Sequence, residues 1–253
     1  MPTTIPSTTS STRPGSPSTG DAYFETDTKN YIIYDGSTWR EYNWDNLSGW
    51  SGSNTSSMSF DGVDDYLSSS SDISFAGNFS LSFWIKPTNF NDCFFGKAGE
   101  SSAFISSTSS GKIQVNNGGL STVGITTGEW NHILLSRSSS TITIYKKSDS
   151  GNDSSTITNS NTLSYNLLGK YYSAGFEYLG LMDEVGVFNT ALSSTDATNI
   201  YNSGSPGDLT SYSSLTNWWR MGDEISGNTI FDSSNNSNNL TVHGPVPSNV
   251  VPS

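Results

Sequence analysis

A single cysteine, Cys93, stands in the 253 residues, so no internal disulfide can form and a small scaffold held by bridges is excluded. It reads as a small packed hydrophobe. Histidine is nearly as scarce, with His132 and His243 alone, and no partnered serine or cysteine nucleophile is evident. Charge is thin and one-sided: 13% of residues are charged, Lys+Arg number 11 against Asp+Glu 23, and the formal net charge is -12. Such a surface repels a phosphate backbone, and no basic run is interleaved with aromatics. Nucleic-acid binding is therefore not expected, and hard cations are the better-matched partners. No stretch approaches the roughly 18 apolar residues of a membrane span, so no membrane insertion is expected. Met1 to Gly20 lacks the basic-then-apolar pattern of a secretory signal, and synthesis in a reducing cytosol without a signal peptide is the expectation.

Hydrophobic residues make up only 32%, yet aromatics reach 12%, with Trp 7, Tyr 12 and Phe 12. Disordered chains are poor in aromatic and β-branched residues, so this is a folded β protein coated with Ser, Thr and Asn. The length suffices for one large β-sandwich, or a sandwich with a small appendage, around a proper core.

The strongest local pattern runs from Phe60 to Pro87, FDGVDDYLSSSSDISFAGNFSLSFWIKP, where an acidic turn (Asp61, Asp64, Asp65) leads into an alternating strand. Phe79, Leu81, Phe83 and Ile85 fall on one face and Ser80, Ser82, Trp84 and Lys86 on the other, the period of a half-buried strand. GEWNHILLSR, Gly128 to Arg137, sets Ile133 and Leu135 on one face, and TITIYKK, Thr141 to Lys147, is the next strand. Leu163 to Leu168 and Tyr171 to Phe176 supply further apolar stretches. In LMDEVGVFNTALS, Leu181 to Ser193, counting by twos from Val187 puts Asp183 on the core face unless a bulge intervenes. A short helix follows, with Ser193 or Ser194 as N-cap and Gly204 as its stop.

Together these three segments resemble the laminin-G-like domains of the concanavalin A-like lectin superfamily. The resemblance implies a mostly β fold, an antiparallel jelly-roll β-sandwich, and suggests glycan binding. It also implies a structural Ca²⁺, with candidate ligands Asp61 and Asp64 in the turn, Asp183 and, in the DSSNN loop, Asp232; local turn hydrogen bonding by the same acids is the competing reading. Trp84, Trp218 and Trp219 are the candidates for stacking on a sugar, each against the alternative of core packing; on a strand, Trp218 and Trp219 point to opposite faces. Glucanases of this superfamily carry their acids as E-x-D-x-x-E on one strand; no such stretch occurs here, and hydrolase activity is not expected. The tail Leu215 to Val242 carries a W-x-x-x-[DE]…DSSGN-x-N-like pattern that such domains usually place first, so it is expected to return to the same sandwich as a permuted strand.

The first 43 residues have another character. Met1 to Gly20 is rich in Ser, Thr and Pro and reads as an extended arm. Gly20 to Asn43 alternates Tyr31 and Ile33 against Ile32 and Tyr34 before an Asp35-Gly36 turn. With Arg13, Pro14, Ser16, Pro17, Thr19, Gly20, Asp21, Tyr23, Phe24, Thr26, Thr28, Tyr34, Asp35, Gly36, Ser37 and Trp39, the segment resembles the short RP-x-SP-x-TGD…YDGS-x-W modules of bacteriophage tail-fibre and other virion proteins. The expected organisation is an arm at 1–20, a hairpin module at 21–43, and a sandwich at 44–253 with 210–242 as its permuted strand. The resemblance implies a virion structural protein (capsid decoration, fibre or tail-associated adhesin) made in a host cytoplasm and placed on the virion surface. Residues 1–43 would contact other virion proteins, the sandwich would meet cell-surface glycans, and the assembly would be a homo-oligomer, with a trimer as first expectation. A free carbohydrate-binding module or accessory domain of a glycoside hydrolase system is the other reading.

Overall fold

A computed structural model describes residues 6–27, 30–34, 36–43, 54–116, 119–173, 175–234 and 236–253. Two bodies divide the chain, Met1–Ser51 and Gly52–Ser253.

In the first body, Ala22–Glu25, Asn30–Tyr34 and Trp39–Asn43 form antiparallel strands. The edge of Ala22–Glu25 would leave backbone groups unpaired. The preceding segment fills it: Ser7–Thr8 pairs in parallel there, Phe24 N donates to Pro6 O and Thr26 N to Thr8 O, both at 2.9 Å. Arg13 Nε donates at 2.5 Å to the buried carboxylate of Glu25. From residue 6 onward, the stretch read as an extended anchoring arm supplies the fourth strand and first turn of the module. Ile32 is buried and Ile33 exposed, as alternation requires, and Trp39 packs its ring against Tyr23 and Tyr34. Asp35 of the expected turn, and residues 44–53 where the sandwich was expected to open, lie outside the described residues.

The second body is a sandwich of two sheets. One runs Asp153–Thr158, Thr141–Ser148, Asn131–Ser138, Phe79–Pro87, Leu179–Phe188, Ser57–Asp61 and Val246–Ser248, with Leu215–Trp219 also paired to Leu179–Phe188. The other runs Gly119–Gly124, Lys112–Val115, Phe104–Ser107, Cys93–Gly96, Leu163–Leu168, Tyr66–Phe75, Leu240–His243, Thr229–Ile230 and Ile225–Ser226. The tail therefore supplies strands to both sheets. Between the sheets, Phe83, Phe94, Phe95, Ile133, Leu135 and Trp219 are sealed from solvent, each such side chain contributing roughly 1.5–3 kcal/mol by leaving water.

A second apolar layer covers the outside of the first sheet. The helix Ser194–Tyr201 starts on a capping box, Ser193 Oγ accepting from Asp196 N and the Asp196 carboxylate from Ser193 N, and ends at Asn202 in the left-handed region. Its Ala197 and Ile200 are buried, and Tyr201 stacks on Trp84 at 5.4 Å. The strand Phe79–Pro87, expected to be half-buried, is consequently closed on both faces. Its outward serines find internal partners: Ser80 Oγ donates to Thr190 O at 2.9 Å and accepts from Leu192 N at 2.8 Å, while Ser82 Oγ bonds His132 Nε2 at 2.8 Å.

Arg137, 1% exposed, ties loops together by donating to the carbonyls of Gly77 (2.8 Å), Asn161 (2.6 Å) and Phe75 (2.6 Å), with its guanidinium over Phe79. Arg137→Met removes the charge but strands three carbonyls. It should lower unfolding free energy by about 3 kcal/mol or more, read by urea denaturation; a loss below about 1 kcal/mol would show that the tie is dispensable.

Candidate functional site

The four acids expected to bind a metal are not brought together. The turn after Ser57–Asp61 places carboxylates of Asp61, Asp64 and Asp65 within 4.8 Å of one another, whereas Asp183 and Asp232 join no such trio among the described residues. Asp232 is engaged by amides, accepting from Trp218 N (2.9 Å), Ser234 N (2.9 Å) and Asn238 N (3.0 Å). This is the loop chemistry that competes with metal. Asp183 and Asp232 thus stand apart from the turn, where Asp65 joins Asp61 and Asp64. Asp61 Oδ1 accepts from Val63 N at 2.8 Å and Asp65 Oδ2 from Asp61 N at 2.9 Å. Burial raises the Asp65 pKa, the Asp61 N–H opposes, and repulsion from Asp61 and Asp64 adds to the rise. Three carboxylates in one turn fit a hard cation that takes six to eight oxygens, the remainder coming from carbonyls and water.

Asp183 does not lie on the core face. Asp183 pairs with Trp84 but Gly186 with Ser82, so one extra residue is inserted, and Glu184 takes a left-handed φ of 45°. This β-bulge breaks the alternation. Met182 and Val185 point into the core, while Asp183 and Glu184 enter a buried polar network. Asp183 accepts from Asn54 Nδ2 and Glu184 N, both at 2.8 Å; Glu184 accepts from Trp218 Nε1 at 2.5 Å and Arg220 Nε at 3.3 Å. Burial pushes both acids up, Asp183 further through the charge of Glu184, and Arg220 pulls Glu184 back. The network is closed to solvent, with Asp183, Glu184 and Arg220 all buried.

The tryptophans named for sugar stacking are equally closed: Trp84 is 1% exposed, Trp218 and Trp219 0%. Trp219 lies in the inter-sheet core; Trp218 turns the other way but rests on Arg220, its ring 5.5 Å from the guanidinium carbon. The helix-side layer, invisible to a two-face count, covers what should have been a surface face. His132 is fully buried too, and burial, assisted by Lys147, holds its pKa down at about 3.

What the surface does offer is a cleft on the second sheet, about 270 Å³, lined by Phe104, Tyr171 and Phe176 with Asn91, Ser106 and Gln114 among its polar walls. Tyr171 is edge-on to Phe104 at 5.4 Å and to Phe176 at 5.6 Å, and its hydroxyl donates to Ser101 O. The segment bearing these rings is pinned at its base, Gly169 N donating to Phe94 O and Tyr178 N to Gly169 O at 2.8 Å, and Cys93 N to Phe176 O at 2.9 Å. Gly96 is needed there, because a Cβ would sit 2.2 Å from Lys170 O. In the sequence Tyr171 to Phe176 is an apolar stretch whose aromatics cluster without strand alternation, the available sign of an exposed patch. A larger cavity, about 650 Å³, lies beside the helix, with Tyr145, Lys147, Asp153 and Thr198 in its wall. Neither cavity sets two carboxylates face to face as glycoside hydrolysis requires.

Asp92, 4% exposed, lies beneath the aromatic cleft and accepts from Leu179 N at 3.0 Å. Burial raises its pKa to about 6 despite that bond. The unfolded chain therefore ionises first, and this stabilisation, complete below about pH 4, is lost as pH rises through 6. Asp92→Asn keeps the acceptor and removes the loss. It should be more stable than the parent by about 3 kcal/mol at pH 7.5 and no more stable at pH 4, measured by urea unfolding; equal stability at both values would contradict the assignment. His132 works in the opposite sense, its stabilisation being lost as pH falls below 6.5. Its ring resonances should not titrate between pH 5 and 8 by NMR.

The chain is similar to known proteins in sequence family and in fold. Residues 60–198, more than half of the chain, match the Concanavalin A-like lectin/glucanases superfamily. Among solved structures, a Bacteroides ovatus protein with a proposed carbohydrate-binding role overlaps at a TM-score of 0.58 and 14% identity, over 92% of this chain and 70% of that one. The heptameric SAP-like pentraxin of Limulus polyphemus gives 0.46 and 13%, over 75% and 94%; tailspike protein 2 of bacteriophage CBA120 gives 0.43 and 18%, over 63% and 29%. No curated protein sequence matches the chain. The chain belongs to the concanavalin A-like lectin/glucanases superfamily, as a laminin-G-like β-sandwich.

Proposed function

We propose that this is a non-catalytic, glycan-binding structural protein of a bacteriophage virion, serving as capsid decoration, fibre or tail-associated adhesin. The observation that carries the binding half is the solvent-open cleft of Phe104, Tyr171 and Phe176 on a lectin-type sandwich. Aromatic faces among neutral polar groups are what a sugar ring needs. The virion half rests on the resemblance of the first 43 residues to virion modules and on their forming a body of their own. That body contacts other virion proteins, the sandwich meets cell-surface glycans, and a homotrimer is the assembly proposed. A structural Ca²⁺ at Asp61, Asp64 and Asp65 belongs to the same reading.

Residues 52–253 alone should bind glycans as the whole chain does but fail to enter particles. Incorporation of this fragment at normal stoichiometry would refute anchoring by the first body and favour a free carbohydrate-binding module. Ca²⁺ at a hundred times its Kd should raise Tm by roughly 5–10 °C over the chelated protein. Equal Tm values would remove the ion and leave the glycan reading standing.

A further inference from the structure

Resting on the glycan-binding reading, we infer that the aromatic cleft selects a neutral saccharide, stacked on Phe176 and Tyr171 and hydrogen-bonded by Asn91, Ser106, Ser109 and Gln114. The inference turns on which polar groups the protein has already used. Thr108 Oγ1 is occupied by Lys112 N at 3.1 Å and Ser110 Oγ at 3.0 Å, and Ser107 Oγ accepts from the amides of Asn91 and Asp92. The side chains of Asn91, Ser106, Ser109 and Gln114 have no hydrogen-bond partner among the described residues, although all four line the cleft. Two amides and two hydroxyls supply both donors and acceptors, which matches hydroxyl groups that must both give and receive.

No charged side chain lines the cleft. Two carboxylates behind the wall are unfavourable to an anion: Asp92 and Glu177 are buried and close enough to act on the Cys93 thiol, which lines the cleft. A carboxylated or sulfated sugar would meet their field without a cation to pair with, and like-charge juxtaposition of this kind is how a site rejects a ligand. The rings supply the attraction that remains. Phe176 is 43% exposed, while Tyr171 is locked by its bond to Ser101 O and by edge contacts on both sides, so little side-chain freedom is lost on binding. The volume, about 270 Å³, falls just under the usual range of roughly 300–1,000 Å³ for a drug-sized ligand, which suits a short stretch of glycan.

The test is a titration of the full chain with neutral oligosaccharides of glucose, galactose, mannose and N-acetylglucosamine, against hyaluronate and polysialic acid, by calorimetry. At least one neutral probe should bind, with the acidic polymers at least tenfold weaker. Phe176→Ala should weaken the neutral probe about tenfold and Gln114→Ala severalfold, while Tyr145→Ala, in the larger cavity, should change nothing. Both altered cleft residues are on the surface, and circular dichroism will verify that the variants fold. Binding that survives Phe176→Ala and Gln114→Ala, or that Tyr145→Ala abolishes, overturns the inference while glycan binding stands. Preference for the acidic polymers overturns it likewise. Binding to no probe removes this inference and counts against the glycan-binding function as well.

Discussion

The Phe79–Pro87 strand is buried on both faces, so its serine hydroxyls must find partners inside the protein, while the Trp84 indole N–H is buried without one among the described residues. One face enters the inter-sheet core. The other lies under the helix Ser194–Tyr201 and the segment around Leu192 and Leu209, where Ser80 holds Thr190 and Leu192, and Ser82 holds His132. This double closure withdraws Trp84, Trp218 and His132 from any encounter with a ligand. Aromatic rings at the surface are then found instead on the second sheet, at Tyr171 and Phe176, which the helix-side layer does not cover.

The bulge at Glu184 is the local expression of the same constraint. Without it, Asp183 would point between the sheets, where an ionised carboxylate has no cation to meet. With it, the two acids turn to Asn54, Trp218 and Arg220. The left-handed φ at Glu184 costs on the order of 1–3 kcal/mol, borne so that the core remains apolar.

Much of the fold was legible. Alternation at Phe79 to Ile85, at Ile133 and Leu135, and at Val185 and Val187 identified core faces that the sandwich uses. Of the two cap candidates, Ser193 and Ser194, the helix uses Ser193, where Asp196 closes a capping box. Other features left no mark at the level of periodicity. A one-residue bulge has no compositional signature, and so counting by twos could place Asp183 on the core face only on the condition that no bulge intervened, and one does. Burial of an outer sheet face depends on where a distant helix lands, and so periodicity alone could not decide between core packing and sugar stacking for tryptophans that the structure buries. Pairing of Ser7–Thr8 with Ala22–Glu25 is made by backbone groups alone, which is why an apolar-poor arm could be built into a sheet.

The central claim is that ligand meets the second sheet and that the tryptophans are structural. It is tested most directly by NMR titration of the isotope-labelled chain with a neutral oligosaccharide that it binds, following backbone amides and indole N–H signals together. The amides of 104–109, 114 and 171–176 should shift in a saturable manner, while the indole N–H signals of Trp84, Trp218 and Trp219 stay fixed. Saturable shifts at those indoles, with the 104–114 and 171–176 segments unmoved, would contradict it.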